Sequence, residues 1–293
     1  FIDKNKVPIV IKADGLASGK GVYICKSKNQ AIKSIKEVLS GKFKSSSKVL
    51  LEEFLNGEEM SYFIIADKNN FKFFGTAQDH KRVGENDTGL NTGGMGAYSP
   101  SAIINNKLEH KIIEKIIKPT LKALKEKKHP YRGFLYVGLM IVKNEPYLIE
   151  YNVRMGDPEC QTIMARLNTD FLTIVKSIIN DNLKKIKINW KKEKSMCIVL
   201  CSKGYPGKHL KNIEIKNINN LNLKKNEFLF HAGTYLKNNK TYSIGGRVLN
   251  IISISKKLYS ARKNIFKIIN RLKWKSGFYR KDIGWRAINI IKK

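Results

Sequence analysis

Three polar residues near the middle of the chain have the chemistry to bind a divalent cation and a phosphate. Glu150, Asn152 and Arg154 occupy alternate positions of Leu148-Ile-Glu-Tyr-Asn-Val-Arg154, so an extended strand would point all three side chains to one face. A carboxylate and an amide carbonyl are hard oxygen ligands suited to Mg²⁺, and a neighbouring guanidinium can hold a phosphate or a developing anion. The alternation alone fits a solvated edge strand equally well.

The residues that follow favour a functional site over a solvated edge. Gly156-Asp157-Pro158 follows this segment after one residue, Met155, and predicts a sharp end to the strand. Pro158 suits the first turn of a helix and Asp157 suits its N-cap. We therefore predict that the polar face lies where a strand gives way to a helix.

A second stretch with anion-binding chemistry lies near the start of the chain. A short apolar strand over 7–11 leads into Lys12, and glycines then alternate with small residues up to Gly21 before a second strand. Glycine lets backbone N–H groups approach an anion, and Lys12 and Lys20 supply positive charge for phosphates. A Walker A loop does not fit, because Gly21 stands where Ser or Thr would follow the lysine. A flexible hairpin tip is the alternative.

Four acidic residues flank a turn at Asn56-Gly57, and two polar loops follow it. Glu52, Glu53, Glu58 and Glu59 would repel one another unless a donor-rich group binds there. A nucleotide meets that need, although an ordinary acidic hairpin explains this motif alone more simply. The polar loops at 77–84 and 91–98 are segments of the kind that holds substrate.

Together these segments resemble the phosphoribosylamine-glycine ligase family, also called glycinamide ribonucleotide synthetases, within the ATP-grasp superfamily. The family begins with an additional N-terminal domain that has no counterpart here, and Phe1 is not a start methionine, so we interpret the sequence as a fragment. The resemblance rests on motifs in the family's order along nearly the whole chain: Ile11-Lys-Ala-Asp-Gly-Leu-Ala-Ser-Gly-Lys-Gly21, Gln78-Asp-His-Lys-Arg-Val-Gly84, Asn91-Thr-Gly-Gly-Met-Gly-Ala-Tyr-Ser-Pro100, Glu150-Tyr-Asn-Val-Arg154, Gly156-Asp-Pro-Glu159, Phe230-His-Ala-Gly-Thr234, Gly245-Gly-Arg-Val248 and Arg280-Lys-Asp-Ile-Gly-Trp-Arg286.

The resemblance implies an α+β protein with the ATP-grasp fold, in which two α+β lobes clamp ATP, followed by a small mixed β/α C-terminal domain. The implied domains are a small lobe with a glycine-rich lid at 1–54, a large lobe with the metal site at 55–188, and the C-terminal domain at 189–293.

The activity implied by the resemblance is that of an ATP-dependent ligase of de novo purine biosynthesis. Glycine and 5-phosphoribosylamine would be joined through a glycyl phosphate, giving glycinamide ribonucleotide, ADP and phosphate. ATP and Mg²⁺ or Mn²⁺ are the implied cofactors. The protein is expected to be cytoplasmic, monomeric when complete, and without a specific nucleic-acid or membrane partner. Another ATP-grasp carboxylate-amine ligase and an inactive fragment that only binds ATP are the alternatives.

The resemblance also implies roles for individual residues. Glu150 and Asn152 would hold the metal, and Arg154, Lys12 and Asp157 would be catalytic. The expected nucleotide-binding residues are Lys12, Gly15, Ser18, Gly19, Lys20, Gly21, Glu52, Glu53, Leu55 and Glu58. The expected substrate-binding residues are Asp79, Lys81, Thr92, Gly93, Gly94, Arg154, Gly156 and Asp157.

Composition alone would suggest a different class of protein. The 56 Lys and Arg residues outnumber 24 Asp and Glu residues, for a net charge of +32, which raises the hypothesis of a basic nucleic-acid-binding module. The lysines are scattered without aromatic interleaving, and Ile and Asn are also in excess, so we favour compositional drift. The four cysteines are too few for a disulfide framework, and we interpret them as small core residues.

Hydrophobic periodicity predicts the elements that carry these motifs. Residues 1–54 are predicted as strand, glycine loop, strand, a helix capped by Ser27, and strand. The other predicted strands are 59–66, 71–78, 134–142, 146–152, 196–202, 228–236, 241–243 and 246–253, with a turn at Asn144-Glu145. The other predicted helices are 106–125, interrupted or kinked at Pro119, 158–167, 170–182 with Asp170 as its cap, and 255–272.

Overall fold

The computed structural model describes residues 1–15, 21–43 and 46–290, with only the backbone of Ile290. The chain divides into two compact units. The first comprises Phe1–Gly57 and Asn91–Gly93, and the second comprises Glu58–Leu90 and Gly94–Lys293. Within the described residues, no helix combines the length and apolar character needed to cross a membrane.

The first unit is a small antiparallel sheet covered by a helix. Its sheet has the strand order β2-β1-β3, and Ile9, Ile11, Cys25 and Ala31 form the core. The predicted helix start is confirmed, because the Ser27 hydroxyl accepts from the backbone N–H of Gln30. The elements are β1 Ile9–Ala13, β2 Val22–Cys25, α1 Lys28–Glu37 continued by a π-helical turn Val38–Lys42, and β3 Val49–Glu53.

The remaining described elements build one large sheet with helices on both of its faces, together with a separate three-stranded sheet and a separate two-stranded sheet. In chain order they are β4 Glu58–Ala66, β5 Phe71–Asp79, β6 Arg82–Gly84, β7 Thr88–Asn91, β8 Gly96–Ser99, α2 Asn106–Ile112, α3 Lys118–Glu126, β9 Gly133–Val142, β10 Glu145–Asn152, α4 Glu159–Arg166, α5 Phe171–Ile179, β11 Lys194–Ser202, β12 Ile213–Glu214, β13 Glu227–His231, β14 Thr234–Lys237, β15 Lys240–Ser243, β16 Arg247–Ser255, α6 Leu258–Ile269, β17 Gly277–Phe278 and α7 Trp285–Ile290. A π-helical segment, Ile113–Ile117, joins α2 to α3, and single 3₁₀ turns lie at Glu85–Asp87, Leu183–Lys185 and Ile218–Asn220.

The large sheet has the order β10-β9-β4-β5-β8-β11-β16-β13, with β17 also paired to β11, and its pairs are antiparallel. Strand β4 shows why helices cover both faces. Its residues from Met60 to Ala66 are all buried, although successive side chains point to opposite faces. On one face Tyr62 and Ile64 pack against α2 and α3, while on the other Phe63 and Ile65 pack with Ile163 and Ile174.

Most predicted elements are confirmed, and the α+β class with them, but several boundaries were wrong. The β9–β10 turn is Lys143-Asn144, whose φ angles are 50° and 63°, one residue earlier than predicted. Residues 228–236 form two strands in different sheets, β13 and β14, not one. The helix is not interrupted at Pro119, which lies in the first turn of α3 just after the π-helical segment Ile113–Ile117. A kink at this proline stays a prediction.

Two helix caps had opposite outcomes. The Asp170 carboxylate accepts from Thr173 N at 2.7 Å, so the predicted cap of α5 is confirmed. The predicted cap of α4 is wrong, because Pro158 occupies the N-cap position and no described side chain caps that helix. Three of the four cysteines are buried and Cys160 is half-buried, in keeping with their interpretation as core residues.

Candidate active site

Neighbouring strands of the large sheet bring polar side chains to one region of a single face. In the order β10-β9-β4, Glu150 lies opposite Gly138, and Gly138 lies opposite Ser61. Directly opposed residues on antiparallel strands share a face. Ser61 in turn lies opposite Ala77, so alternation brings Asp79 to the same face. A small pocket is lined there by Glu59, Met60, Ser61, Asp79, Lys81, Tyr136, Gly138, Leu139, Ile149 and Glu150.

Glu150 and Asn152 form the hard-oxygen pair that the sequence predicted. Both lie on β10, and the Asn152 Nδ2 group donates to Glu150 Oε1 at 3.1 Å. Glu150 is exposed and Asn152 half-buried. A carboxylate and an amide adjacent to each other at an accessible position fit the donors that Mg²⁺ or Mn²⁺ prefers.

Arg154 departs from its predicted position. Strand β10 ends at Asn152, so Arg154 is not a third member of the strand face, and that prediction was wrong. Its exposed guanidinium donates to the Met155 carbonyl at 2.9 Å. The pairing of β10 with β9 also shifts between Leu148 and Glu150, an irregularity that simple alternation does not anticipate.

Asp79, Lys81 and Glu59 form the charged part of the pocket. The Lys81 ammonium lies 3.1 Å from Glu59 Oε2, and the Glu59 carboxylate is the main reason that the pKa of Lys81 is raised. Burial, reinforced by repulsion from Glu159, holds the pKa of Asp79 well above its usual range, although Lys81 opposes this. The cluster therefore presents a retained cation beside a carboxyl that takes up a proton readily.

Glu159 is a buried acid that sequence reasoning passed over. It begins α4, is only 3% exposed, and lies 3.0 Å from the Ser61 hydroxyl, which also contacts Tyr136. Gly156 makes room for it, because a Cβ at that position would lie 2.4 Å from Glu159 Oε2. Glycine at position 156 therefore leaves room for the buried Glu159 carboxylate, a role that its sequence motif did not reveal.

Asp157 is held by an arginine from a distant part of the chain. Arg247, at the start of β16, donates to both the carbonyl and the carboxylate of Asp157 at 2.8 Å. Gln161 also donates to this carboxylate at 2.7 Å. The Asp157 side chain is therefore fixed by two donors instead of capping α4. Arg247 appears in the Gly245-Gly-Arg-Val248 motif, which was its only signal in the sequence.

Gly94 shows how closely the backbone approaches the pocket. Its φ is +113°, and a Cβ there would lie 2.8 Å from Asp79 Oδ1 and 2.5 Å from Pro158 Cδ. Glycine is required for both reasons. Thr92 and Gly93 belong to the first unit, whereas Glu58 begins β4 in the second.

The first unit carries most of the predicted nucleotide-binding residues. The Lys12 ammonium lies 2.6 Å from Glu52 Oε2, which joins a predicted phosphate-binding cation to a predicted adenosine contact. Glu53 is the next residue after Glu52 within β3, so its side chain points to the opposite face of the strand. Leu55 lies just beyond that strand. Gly15 and Gly21 border the glycine-rich loop, and Ser18, Gly19 and Lys20 lie outside the described residues.

Comparisons with protein families match both parts of the chain. The phosphoribosylglycinamide synthetase ATP-grasp (A) domain matches residues 1–160, and the C domain of the same synthetase matches residues 195–286. The first match alone covers more than half of the sequence.

Individual relatives agree with the family match. The chain is 41% identical over 293 residues to phosphoribosylamine–glycine ligase of Brucella melitensis, covering all of this chain and 69% of the relative. It is 42% identical over 294 residues to the chloroplastic phosphoribosylamine–glycine ligase of Arabidopsis thaliana, covering 98% of this chain and 55% of the relative.

Solved structures give the same family and the wider fold. The crystal structure of phosphoribosylamine–glycine ligase from Thermotoga maritima superposes with a TM-score of 0.85 at 34% identity, covering 96% of this chain and 70% of that one. A biotin carboxylase domain from Hydrogenobacter thermophilus, solved with MgADP, has a TM-score of 0.69 at 15% identity over 99% of this chain and 62% of that one, and shares the fold alone. The chain belongs to the phosphoribosylglycinamide synthetase family and has the ATP-grasp fold.

Proposed function

We propose that this protein is an ATP-dependent ligase that joins glycine to 5-phosphoribosylamine. Two relatives with that name support the proposal, since their similarity covers 100% and 98% of this chain and 69% and 68% of the relatives. The structural observation that carries it is a single sheet face on which the Glu150 and Asn152 oxygens adjoin the Asp79, Lys81 and Glu59 cluster. Carboxylate, amide and ammonium groups together suit a reaction whose reactants are a phosphate, a carboxylate and an amine.

The proposed reaction has two chemical steps. The glycine carboxylate attacks the γ-phosphate of ATP, breaking the bond to the β-phosphate and releasing ADP. The amine of 5-phosphoribosylamine then attacks the resulting glycyl phosphate, losing a proton as the amide forms and phosphate leaves. Glu150 and Asn152 would hold Mg²⁺ or Mn²⁺, which neutralises the charge of the phosphates. Arg154, exposed just beyond β10, would steady the transferred phosphoryl group or the tetrahedral oxyanion.

The remaining residues have proposed roles in holding substrates. Lys12, in the first unit, would contact ATP phosphates, with Glu52 as its fixed partner. Lys81 stays protonated because of Glu59, so it can hold an anionic group such as a carboxylate or phosphate. Asp79 and Asp157 would contact the amines of the substrates. The glycine-rich loop would exclude water from the glycyl phosphate.

Other ATP-grasp enzymes are the second candidate class. The biotin carboxylase domain and an L-amino acid ligase from Bacillus licheniformis share the fold at 15% and 12% identity, so their likeness does not extend to substrate. Matches to the two synthetase domains favour the glycine ligase. A cytoplasmic location, a monomeric state and the domain boundaries near 54 and 188 remain predictions from the family resemblance.

The test of this proposal combines binding with turnover. ATP binding by calorimetry and ADP release should both require Mg²⁺, and ADP release should require glycine and 5-phosphoribosylamine together. In Glu150→Gln we expect kcat to fall on the order of 100-fold or more, because a hard metal ligand is lost. Since the side chain is exposed, the free energy of unfolding should change by less than about 1 kcal/mol.

Glu145→Gln is the matched control, because Glu145 is an acid on the same strand that pairs with Lys111 and Lys115 outside the pocket. It should keep wild-type kinetics. Wild-type turnover and Mg²⁺-dependent binding in Glu150→Gln would refute the metal assignment. ADP release without glycine would refute the proposed substrate.

A further inference from the structure

Arg280 is a fully buried cation that lies outside the candidate pocket. It is 1% exposed, the largest side chain among the most buried residues. Its Nε and one terminal nitrogen donate to the two carboxylate oxygens of Asp282 at 2.8 and 2.7 Å. This bidentate pair fixes the plane of the guanidinium.

The same guanidinium reaches a hairpin nearly 200 residues earlier in the chain. Its second terminal nitrogen donates to Asp87 Oδ1 at 2.9 Å and to the Arg82 carbonyl at 3.0 Å. Arg286 donates to the other Asp87 oxygen at 2.9 Å, and the Asn86 N–H donates to Asp282 at 2.8 Å. We call residues 82–90 the docked hairpin, and Arg280, Asp282, Gly284 and Arg286 the C-terminal clamp.

The C-terminal clamp also bonds to His80, the residue between Asp79 and Lys81. His80 Nε2 accepts from the Gly284 N–H at 3.0 Å, which leaves Nδ1 to donate to the Gly96 carbonyl at 3.2 Å. His80 lies between Asp79 and Lys81 in the sequence, and both of its ring nitrogens bond to backbone groups that do not line the pocket. The C-terminal clamp therefore bonds to His80, within the segment that presents the Asp79 carboxylate and the Lys81 ammonium, and also to the docked hairpin that follows this segment.

Burial alone does not explain why the hairpin stays in place. Residues 85–90 are exposed except for half-buried Asp87, and among half-buried residues 82–84 the apolar contact with the core is made by Val83. A buried ionic network is costly to desolvate and gains little net stability, but its geometry is well defined. That balance suits a device that sets position more than one that adds stability.

We propose that Arg280, oriented by Asp282, is a positioning residue that acts through Asp87 and the docked hairpin to hold Asp79 and Lys81 in their working geometry. The identity of the affected ligand rests on the proposed function, whereas the mechanical coupling does not. Arg280 itself touches no pocket side chain in its described hydrogen bonds.

Asp87→Asn is the variant that tests this coupling. Replacing Arg280 would leave Asp282 buried beside a lost partner and could unfold the chain, whereas Asp87 is 30% exposed. Asp181→Asn is the matched control. Asp181 is 31% exposed and pairs with Arg132 at 2.5 Å, and the two aspartates have similar φ angles, 56° and 54°.

Amide hydrogen exchange on the full chain measures the coupling without any assay of activity. In Asp87→Asn we expect exchange of the 78–90 segment, including the His80 N–H bonded to Gly96, to accelerate on the order of tenfold, with global stability similar to that of Asp181→Asn. Unchanged exchange in this segment, or an equal acceleration there in Asp181→Asn, would overturn the proposal even if the ligase function failed.

Steady-state kinetics give the second readout. If the chain is a ligase, Asp87→Asn should raise KM for glycine or 5-phosphoribosylamine several-fold, because displaced side chains bind less well, and leave KM for ATP unchanged. A loss of kcat with all KM values unchanged would indicate a merely smaller folded fraction and would contradict positioning.

Discussion

His80 shows how burial gives a residue a different role from that of its immediate neighbours. Asp79 and Lys81 line the pocket, whereas His80 is 7% exposed and bonded to backbone groups through both ring nitrogens. Burial, with repulsion from Arg280, lowers the pKa of His80 to about 4. The residue is therefore neutral near pH 7 and links its segment to the backbone at Gly96 and Gly284.

This pKa predicts how stability depends on pH. The unfolded chain binds the His80 proton near pH 6.5 and the folded chain only near pH 4, so between these values the unfolded state holds more protons. Stability should consequently fall as the pH drops from 6.5 to 4, by about 3 kcal/mol from this residue. Urea unfolding across that range should show a smaller loss in His80→Gln than in the wild type. His129→Gln replaces an exposed histidine as the control, and equal behaviour of the two variants would contradict the prediction.

The β9–β10 hairpin is the element that delivers the predicted metal ligands. Strand β10 begins directly after the Lys143-Asn144 turn and carries Glu150 and Asn152. Both turn residues have positive φ, the conformation of a two-residue type I′ turn, which favours Asn-Gly. Lysine at the first position is held in a left-handed conformation that costs about 1 kcal/mol.

Replacing the turn by Lys143→Asn with Asn144→Gly should stabilise the hairpin. We expect the free energy of unfolding to rise by about 0.5–1 kcal/mol, because the strained conformation is relieved. Turnover should not change, since the turn lies at the far end of β10 from Asn152. Denaturant unfolding measures the gain. Asn144→Val is the opposing control, and stabilisation by that variant would show that the turn geometry is misassigned.

At the scale of the whole molecule, the net charge of +32 is the property most open to misinterpretation. The family and fold matches identify the chain without reference to its charge. Scattered lysines nevertheless create a positive potential that attracts polyanions without specificity.

We therefore predict weak, salt-sensitive binding to heparin and DNA. Retention on heparin should disappear by about 0.2 M salt, because it depends on counterion release, and unrelated DNA sequences should compete equally well. A thermal shift by MgATP should persist at that salt concentration. Retention at high salt, or preference for one DNA sequence, would favour the nucleic-acid-binding alternative.

Local patterns were enough to predict where several candidate side chains and helix caps lie. Alternation placed Glu150 and Asn152 on one strand face, and the structure has both on β10 with their side chains in contact. Capping chemistry located the starts of α1 and α5 at Ser27 and Asp170. These features depend on interactions within a few residues, which the order of amino acids encodes directly.

By itself, the sequence determined the α+β class and the family, and it predicted which glycine, lysine and acidic segments carry the chemistry. Only the tertiary structure decided that Arg247 forms an ion pair with Asp157, that the Ser61 hydroxyl hydrogen-bonds to Glu159, and that Arg280 forms an ion pair with Asp87. These partners are 90, 98 and 193 residues apart. Their meeting depends on the order in which strands join the sheet, and no local period of hydrophobic residues encodes that order.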